Sequence, residues 1–211
     1  MRKLILTLVV AVCSFPLAAQ LSGTYTIDAG SPASATNYQS VNAAIGDLST
    51  GTRSDGGPVN GPGVTGPVVL RLEANSGPYV EQVTIPAIAG ASATNTIRLT
   101  GGPGREEITY SGTTTTDRQV IKINGARHII LDSLTISNTD LLNGFGVHIT
   151  NSADSNVVSN CAVTVLNTST STNFAGIVIG GASVTTNGDW GDNNTIIINE
   201  VYGGYYGISA R

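Results

Sequence analysis

An aromatic residue and a glycine followed by a short aliphatic strand recur along the second half of this 211-residue chain. Phe145-Gly146-Val147-His148-Ile149, Phe174-Ala175-Gly176-Ile177-Val178-Ile179 and Tyr206-Gly207-Ile208-Ser209-Ala210 place the shared glycine at 146, 176 and 207, at spacings of 30 and 31. A second aliphatic segment runs upstream of each, over residues 128–136, 156–165 and 194–201. In these segments a small polar residue (Asp132, Asn160, Asn199) stands three residues beyond Ile129, Val157 and Ile196. A period near 30 residues with two strands per period predicts units that stack into a parallel β-solenoid. Each turn then adds one rung to every sheet, about 4.8 Å further along the axis. The polar residue is expected at a corner, stacked on its equivalents and satisfying local backbone groups. The competing fold is an antiparallel sandwich, with Gly101-Gly102, Gly180-Gly181 and Gly203-Gly204 available for hairpin turns.

Composition supports a repetitive β architecture. Only 11% of the chain is charged and 5% aromatic, yet 40% is hydrophobic. Long stacks of like charge repel, so a solenoid is poor in them. Helical bundles and coiled coils need Ala, Leu, Glu and Lys in quantity. A sequence pI near 5.0 argues against nucleic acid as a partner.

The first residues read as an address. Met1-Arg2-Lys3 is basic, residues 4–12 are apolar except for Thr7, and Ala18-Ala19 ends the segment in small residues. The pattern predicts a secretory signal peptide over residues 1–19, its apolar run far short of the roughly 20 residues that span a bilayer. Val12 before Cys13 argues against a lipoprotein. The expected mature chain keeps 8 basic against 14 acidic residues, a charge of −6, and one cysteine, Cys161. No later stretch is long and apolar enough for a membrane span. The product is expected to be secreted or held at the cell surface.

Residues 20–66 read as an N-terminal cap and loop with one helix. Tyr38, Val41, Ala44, Ile45 and Leu48 fall at helical spacing, with Asn37 as the expected N-cap. Residues 49–66 are rich in Gly, Pro, Ser and Thr and read as a long loop. From residue 67 to 211 the structured runs are short and β-branched: residues 68–72, 80–85, 96–99 and 120–123 alternate as strands. The absence of helical pattern between them argues against βαβ units.

Asn37-Tyr38-Gln39-Ser40-Val41-Asn42-Ala43-Ala44-Ile45, followed by Gly77-Pro78-Tyr79-Val80-Glu81-Gln82-Val83-Thr84-Ile85-Pro86, resembles the opening of pectin-lyase-like proteins. With Leu21-Ser22-Gly23-Thr24-Tyr25-Thr26-Ile27 and residues 86–97, it is similar to large secreted and surface proteins of Gram-negative gliding-type bacteria. The resemblance implies an all-β fold, a right-handed parallel β-helix with a short N-terminal capping helix. It assigns Glu81 to the structural opening of the fold rather than to an active site. Because the chain stops at Arg211 inside a repeat, the expectation is an N-terminal fragment of a longer protein.

Chemistry-bearing residues are sparse. Lys122, Arg127, His128 and Asp132 lie close in sequence and could supply the base of a lyase, but a solvated outer face explains them as well. Glu106 and Glu107 are adjacent on a strand and point to opposite faces, a poor pair for glycoside hydrolysis. Cys161 alternates with Val163 and Val165 and is expected in the core. His148 is expected to face outward, and His128 as sole companion disfavours a transition-metal site. Ranks of Thr-x-Thr, as ice binding needs, are missing; residues 113–116 form a single Thr cluster.

One segment stands out. Asn160 to Asn199 spans 39 residues against 28 from Asp132 to Asn160, and the surplus falls in residues 183–194. Trp190, the one tryptophan, could stack on a sugar, with Asp189, Asp192 and Asn193 at its hydroxyls and Tyr202 following in the next turn. A solvated turn is the alternative. Asp189 and Asp192 with Asn187 or Asn193 also offer oxygens of the kind Ca²⁺ takes, although not in an EF-hand pattern. No other cofactor is expected. The sequence therefore favours a non-catalytic extracellular module, structural or adhesive, with polysaccharide or other surface proteins as partners. The alternative is a polysaccharide lyase or glycoside hydrolase whose active site is incomplete in this fragment.

Overall fold

The computed structural model describes residues 20–211 apart from 113, 167, 189 and 190. The expected signal peptide therefore lies outside the described residues.

The chain forms three parallel sheets and one α-helix. From Val64 onward, strands fall into the three sheets in strict rotation. Sheet A takes β3 (Val64–Leu72), β6 (Ile97–Thr100), β9 (Ile129–Asp132), β12 (Val157–Ser159) and β15 (Thr195–Ile197). Sheet B takes β4 (Tyr79–Val80), β7 (Glu107–Tyr110), β10 (Thr135–Asn138), β13 (Ala162–Thr164) and β16 (Glu200–Tyr202). Sheet C takes β5 (Val83–Pro86), β8 (Gln119–Asn124), β11 (Gly144–Thr150), β14 (Phe174–Ile179) and β17 (Tyr206–Ala210). From β6 to β14 each strand pairs with the strand three places before and the strand three places after it. Every ladder between described strands is parallel, which excludes the antiparallel sandwich.

Alternate side chains point inward, and the register aligns them in aliphatic columns. In sheet A the column is Leu70, Leu99, Leu131, Val158, Ile196. In sheet B it is Tyr79, Ile108, Ile136, Val163, Val201. In sheet C it is Val83, Ile121, Val147, Ile177, Ile208. Most of these side chains belong to one continuous buried cluster. Burying a Val, Leu or Ile is worth roughly 1.5–3 kcal/mol each, so the columns supply the main cohesion between rungs.

The three recurring glycines are in register, Gly146 beside Gly176 beside Gly207. A Cβ on Gly146 would overlap Val163 Cγ1 on the neighbouring sheet B strand and lie 2.7 Å from the Gly176 carbonyl oxygen. At Gly146 and Gly176 sheet B's inward valines, Val163 and Val201, occupy the space a side chain would need, whereas at Gly207 the nearest atom is at ordinary contact distance.

The period holds three strands, not two. Each upstream segment expected as one strand bends in the middle at a residue in left-handed conformation: Ser133 (φ 52°), Asn160 (φ 54°) and Ile198 (φ 55°). The bend divides sheet A from sheet B. Asp132, Asn160 and Asn199 are consequently not equivalents. Asp132 pairs with Ser159, and that position passes on to Ile197. The in-register asparagine stack stands at the preceding corner. Asn156 Nδ2 donates to Ala126 O and its Oδ1 accepts from Ile129 N, while Asn194 repeats the arrangement one coil on, donating to Ala153 O and accepting from Asn156 N.

The N-terminal region is more ordered than its composition suggests. β1 (Leu21–Ile27) pairs with β3, and β2 (Asn37–Tyr38) pairs with β1, extending sheet A. The helix α1 runs Val41–Thr50 and starts at Ser40, whose Oγ accepts from Ala43 N at 3.0 Å. Asn37 is not the cap, because its side chain is spent on the turn before it, donating to Asp28 O and Pro32 O. Glu81 completes the helix start across the fold, accepting from Val41 N at 2.8 Å and Asn42 N at 2.9 Å. That position favours a carboxylate, because the first amides of a helix lack internal partners. The long loop beyond α1 is anchored on buried Asp47, which accepts from Tyr38 Oη, Asn60 N and Gly61 N.

Candidate functional site

The three sheets present different outer faces. On sheet A, Asp132 accepts from Arg98, Ser159 and Asn160. Burial alone would push its carboxyl up, but these hydrogen bonds outweigh burial and hold it well below the usual carboxylate range. Asp132 is thus a fixed structural anion. Lys122 stands on sheet C, and Arg127 lies at the corner between the two sheets, 4.0 Å from Asp154. The residues considered for a lyase base are therefore spread over two faces and a corner.

Sheet C is roofed. Residues 180–188 cross its outer surface, and Phe145, Ala175, Val178 and Val184 form a second small core beneath them. His148 faces outward as expected but is only 5% exposed. Its Nε2 donates to Gly181 O at 2.8 Å. Burial, with the nearby positive charges of Lys122 and Arg118, pulls its pKa down to about 4.

Sheet B is the open face. Thr109, Ser137, Thr164 and Tyr202 stand in one outward column, a row of hydroxyls one rung apart that ends in an aromatic ring. At its end lies a groove of about 270 Å³ lined by Asn138, Thr139, Asp140, Thr164, Leu166 and Tyr202, among others. Asp140 is fixed by accepting from Leu142 N and Asn143 N. Asn138 is held in place by donating to Arg118 O. Tyr202 is 55% exposed. Its hydroxyl donates to Glu200, which pairs with Arg105 at 2.6 Å. The hydrogen bond to Glu200 pushes the phenol above its ordinary value, so the ring is uncharged at neutral pH. The outward pairs on sheet B are Glu107/Thr109, Thr135/Ser137, Ala162/Thr164 and Glu200/Tyr202, without a repeated Thr-x-Thr rank.

Among the residues singled out from sequence, Tyr202 therefore sits in the sheet B groove. Asp192 and Asn193 lie at the turn into sheet A, where Asp192 O accepts from Ser155 N and Asn193 takes φ 56°. Asp189 and Trp190 lie outside the described residues. Asp192 borders a separate depression of about 430 Å³ with Asn187 and Arg211. Cys161 is fully buried, and burial pushes its thiol up to about 11, which is the environment of an inert thiol. Asn138, Asp140 and Thr164 were missed from sequence. The one available signal was the spacing of Thr109, Ser137 and Thr164, which follows the repeat period.

Comparison with family models, curated proteins and solved structures finds no match, so the functional reading rests on this geometry.

Proposed function

We propose that the chain is a right-handed parallel β-helix of pectin-lyase-like type, exported behind residues 1–19, that serves as a non-catalytic extracellular module gripping a polysaccharide along sheet B. Handedness follows from the general rule that about 98% of parallel crossovers are right-handed. The carrying observation is the groove. An uncharged, half-exposed aromatic ring at the end of a hydroxyl column, beside anchored Asp140 and Asn138, offers what a sugar requires: an apolar face and fixed polar partners. Trp190 and Asp189, with Asp192 and Asn193 at the turn into sheet A, form a second contact region in this reading, in which Ca²⁺ is an optional ligand.

Affinity electrophoresis through gels containing pectin, alginate or neutral glucans tests the proposal. Retardation in at least one gel, weakened five- to tenfold by Tyr202→Ala with an unchanged far-UV spectrum, supports it. Retardation that survives Tyr202→Ala removes the groove from the reading. Release of reducing ends or 4,5-unsaturated products would overturn the non-catalytic assignment in favour of a lyase or hydrolase.

A further inference from the structure

Tyr202 does not stand free in the sheet B groove. Its hydroxyl donates to Glu200 Oε2 at 3.0 Å, and Glu200 Oε1 pairs with Arg105 Nη1 at 2.6 Å. Arg105 comes from 95 positions earlier in the chain, in the link between β6 and β7. It takes a left-handed φ of 51° and donates its amide to Gly102 O. Its carbonyl oxygen accepts from Thr135 Oγ1 on β10 at 2.7 Å. The backbone of Arg105 is thus pinned at the level of β10. From there the outward column runs Thr135, Ala162, Glu200. Glu200 lies two rungs beyond Thr135, about 10 Å along the axis, and the Arg105 side chain bridges that distance. Thr135 and Ala162 carry no charge, and Glu107 stands at the far end of the column. Among the described residues, the side chains that reach the Glu200 carboxylate are therefore Arg105 from the link and Tyr202 from its own strand. The hydrogen bond from Arg105, and then that from Tyr202, hold this carboxyl below its ordinary value.

We infer that Arg105 and Glu200 are positioning residues of the sheet B groove: the ion pair aims the Glu200 carboxylate at the Tyr202 hydroxyl and so fixes the aromatic wall, and salt and acid regulate the grip through it. The inference rests on the reading of sheet B as the ligand-gripping face. A half-exposed tyrosine has several staggered rotamers open to it, and a charge-assisted hydrogen bond to a carboxylate that is itself held selects one. Both charges of the pair are exposed to solvent, so the tie weakens as the screening length falls from about 10 Å at 0.1 M salt to about 3 Å at 1 M. Because the Glu200 carboxyl is lowered, the tie is whole above about pH 4.3 and is lost only as pH falls below that.

Tyrosine ring-carbon shifts of the whole chain, followed through the phenol titrations, test the tie without any ligand. Glu200 raises the Tyr202 phenol, whereas the Arg105 charge lowers it, so the two roles open to Arg105 have opposite signs. If Arg105 aims Glu200, Arg105→Gln releases the carboxylate and the Tyr202 midpoint falls toward its ordinary value, and Arg105→Lys restores the parent's midpoint. If Arg105 is only a nearby charge, Arg105→Gln raises the midpoint; that result, or no change, overturns the inference. The variant should fold as the parent does, because the Gly102 and Thr135 contacts of residue 105 belong to its backbone. Affinity electrophoresis gives the second readout. In whichever pectin, alginate or neutral-glucan gel retards the parent, Arg105→Gln should bind roughly threefold more weakly, and 1 M NaCl should narrow the gap between parent and variant. Equal retardation of the two at low salt overturns the inference. If no gel retards the parent, the sheet B reading fails alone, and the direction of the phenol shift still decides the tie.

Discussion

Gly146→Ala puts the three-sheet register to a quantitative test. Gly146 does not take a left-handed φ, so alanine meets no dihedral penalty and the cost is purely one of space. Its Cβ would overlap Val163 Cγ1 and stand 2.7 Å from the Gly176 carbonyl oxygen. Ordinary contact needs about 3.4 Å, so both the valine and a neighbouring backbone must shift. Overpacking of this kind costs typically 1–3 kcal/mol. With a rigid carbonyl on one side, the upper end, about 3 kcal/mol, is expected. For a domain of this size that is a fall in Tm of roughly 6–12 °C. Gly207→Ala is the internal control in the same column, where the nearest atom is Val201 Cγ1 at 3.9 Å, and it should cost less than about 1 kcal/mol. Val163→Ala in the Gly146→Ala background removes one obstacle but not the carbonyl, so the double variant should be more stable than the sum of the singles by about 1 kcal/mol. Calorimetry with urea titration gives all four values. A Gly146→Ala variant melting within 2 °C of the parent, or a Gly207→Ala variant equally damaged, would show that the glycines do not face sheet B's valines.

Three further outcomes follow from the same geometry. His148 is held near pKa 4 in the folded chain against about 6.5 unfolded, so the unfolded state takes up the proton first as pH falls; its contribution is complete above pH 6.5 and is lost between 6.5 and 4, at most about 3 kcal/mol, and urea midpoints of the parent and His148→Gln should differ in slope only in that window. Asp132→Asn removes the negative charge and one of the two oxygens that accept from Arg98, Ser159 and Asn160 and should cost about 1–3 kcal/mol, measured as a lowered urea midpoint at pH 7. The Cys161 peptide should resist iodoacetamide in the native chain at pH 8, since burial pushes the thiol up to about 11, and should be alkylated within minutes in denaturant, as read by mass spectrometry.

The parallel architecture was legible because its two signals are local and repetitive. Val-Ile-Leu runs alternate, and Gly146, Gly176 and Gly207 return at almost equal intervals. The third strand of each period was not legible, because the bend between sheets A and B is made by a single left-handed residue. At one coil that residue is Ile198, a β-branched side chain that reads as mid-strand. Asn37 illustrates a related difficulty. It has the composition of a helix cap, but the short pairing of Asn37 and Tyr38 with β1 moves the helix start to Ser40. His148 was expected outward from its alternation with Val147 and Ile149, and it is outward. Its burial depends on residues 180–188, more than 30 positions away, and no local pattern reports that. The same holds for the groove at Tyr202, whose walls come from β10, β13 and β16 together.

The distribution of loop lengths explains why sheet C carries the roof and sheet B the open column. In the last three coils the link from sheet A to sheet B is always two residues: Ser133-Leu134, Asn160-Cys161 and Ile198-Asn199. In the two periods before, the same link is six residues long; where it shortens to two, a single left-handed residue and the one after it must carry the chain from one sheet to the next. The links on either side of sheet C are free. From sheet C to sheet A they run from 4 residues after β8 to 15 after β14, and from sheet B to sheet C from 2 after β4 to 9 after β13. Insertions at the two corners flanking sheet C can fold over its outer face without disturbing a single column, and residues 180–188 and 114–118 do so. The surplus between Asn160 and Asn199 is one of these insertions. Chemistry that varies between coils therefore collects over sheet C and at the sheet B edge nearest it. Lys122, His148, Asp140 and Tyr202 all lie there, while the aliphatic columns beneath keep repeating.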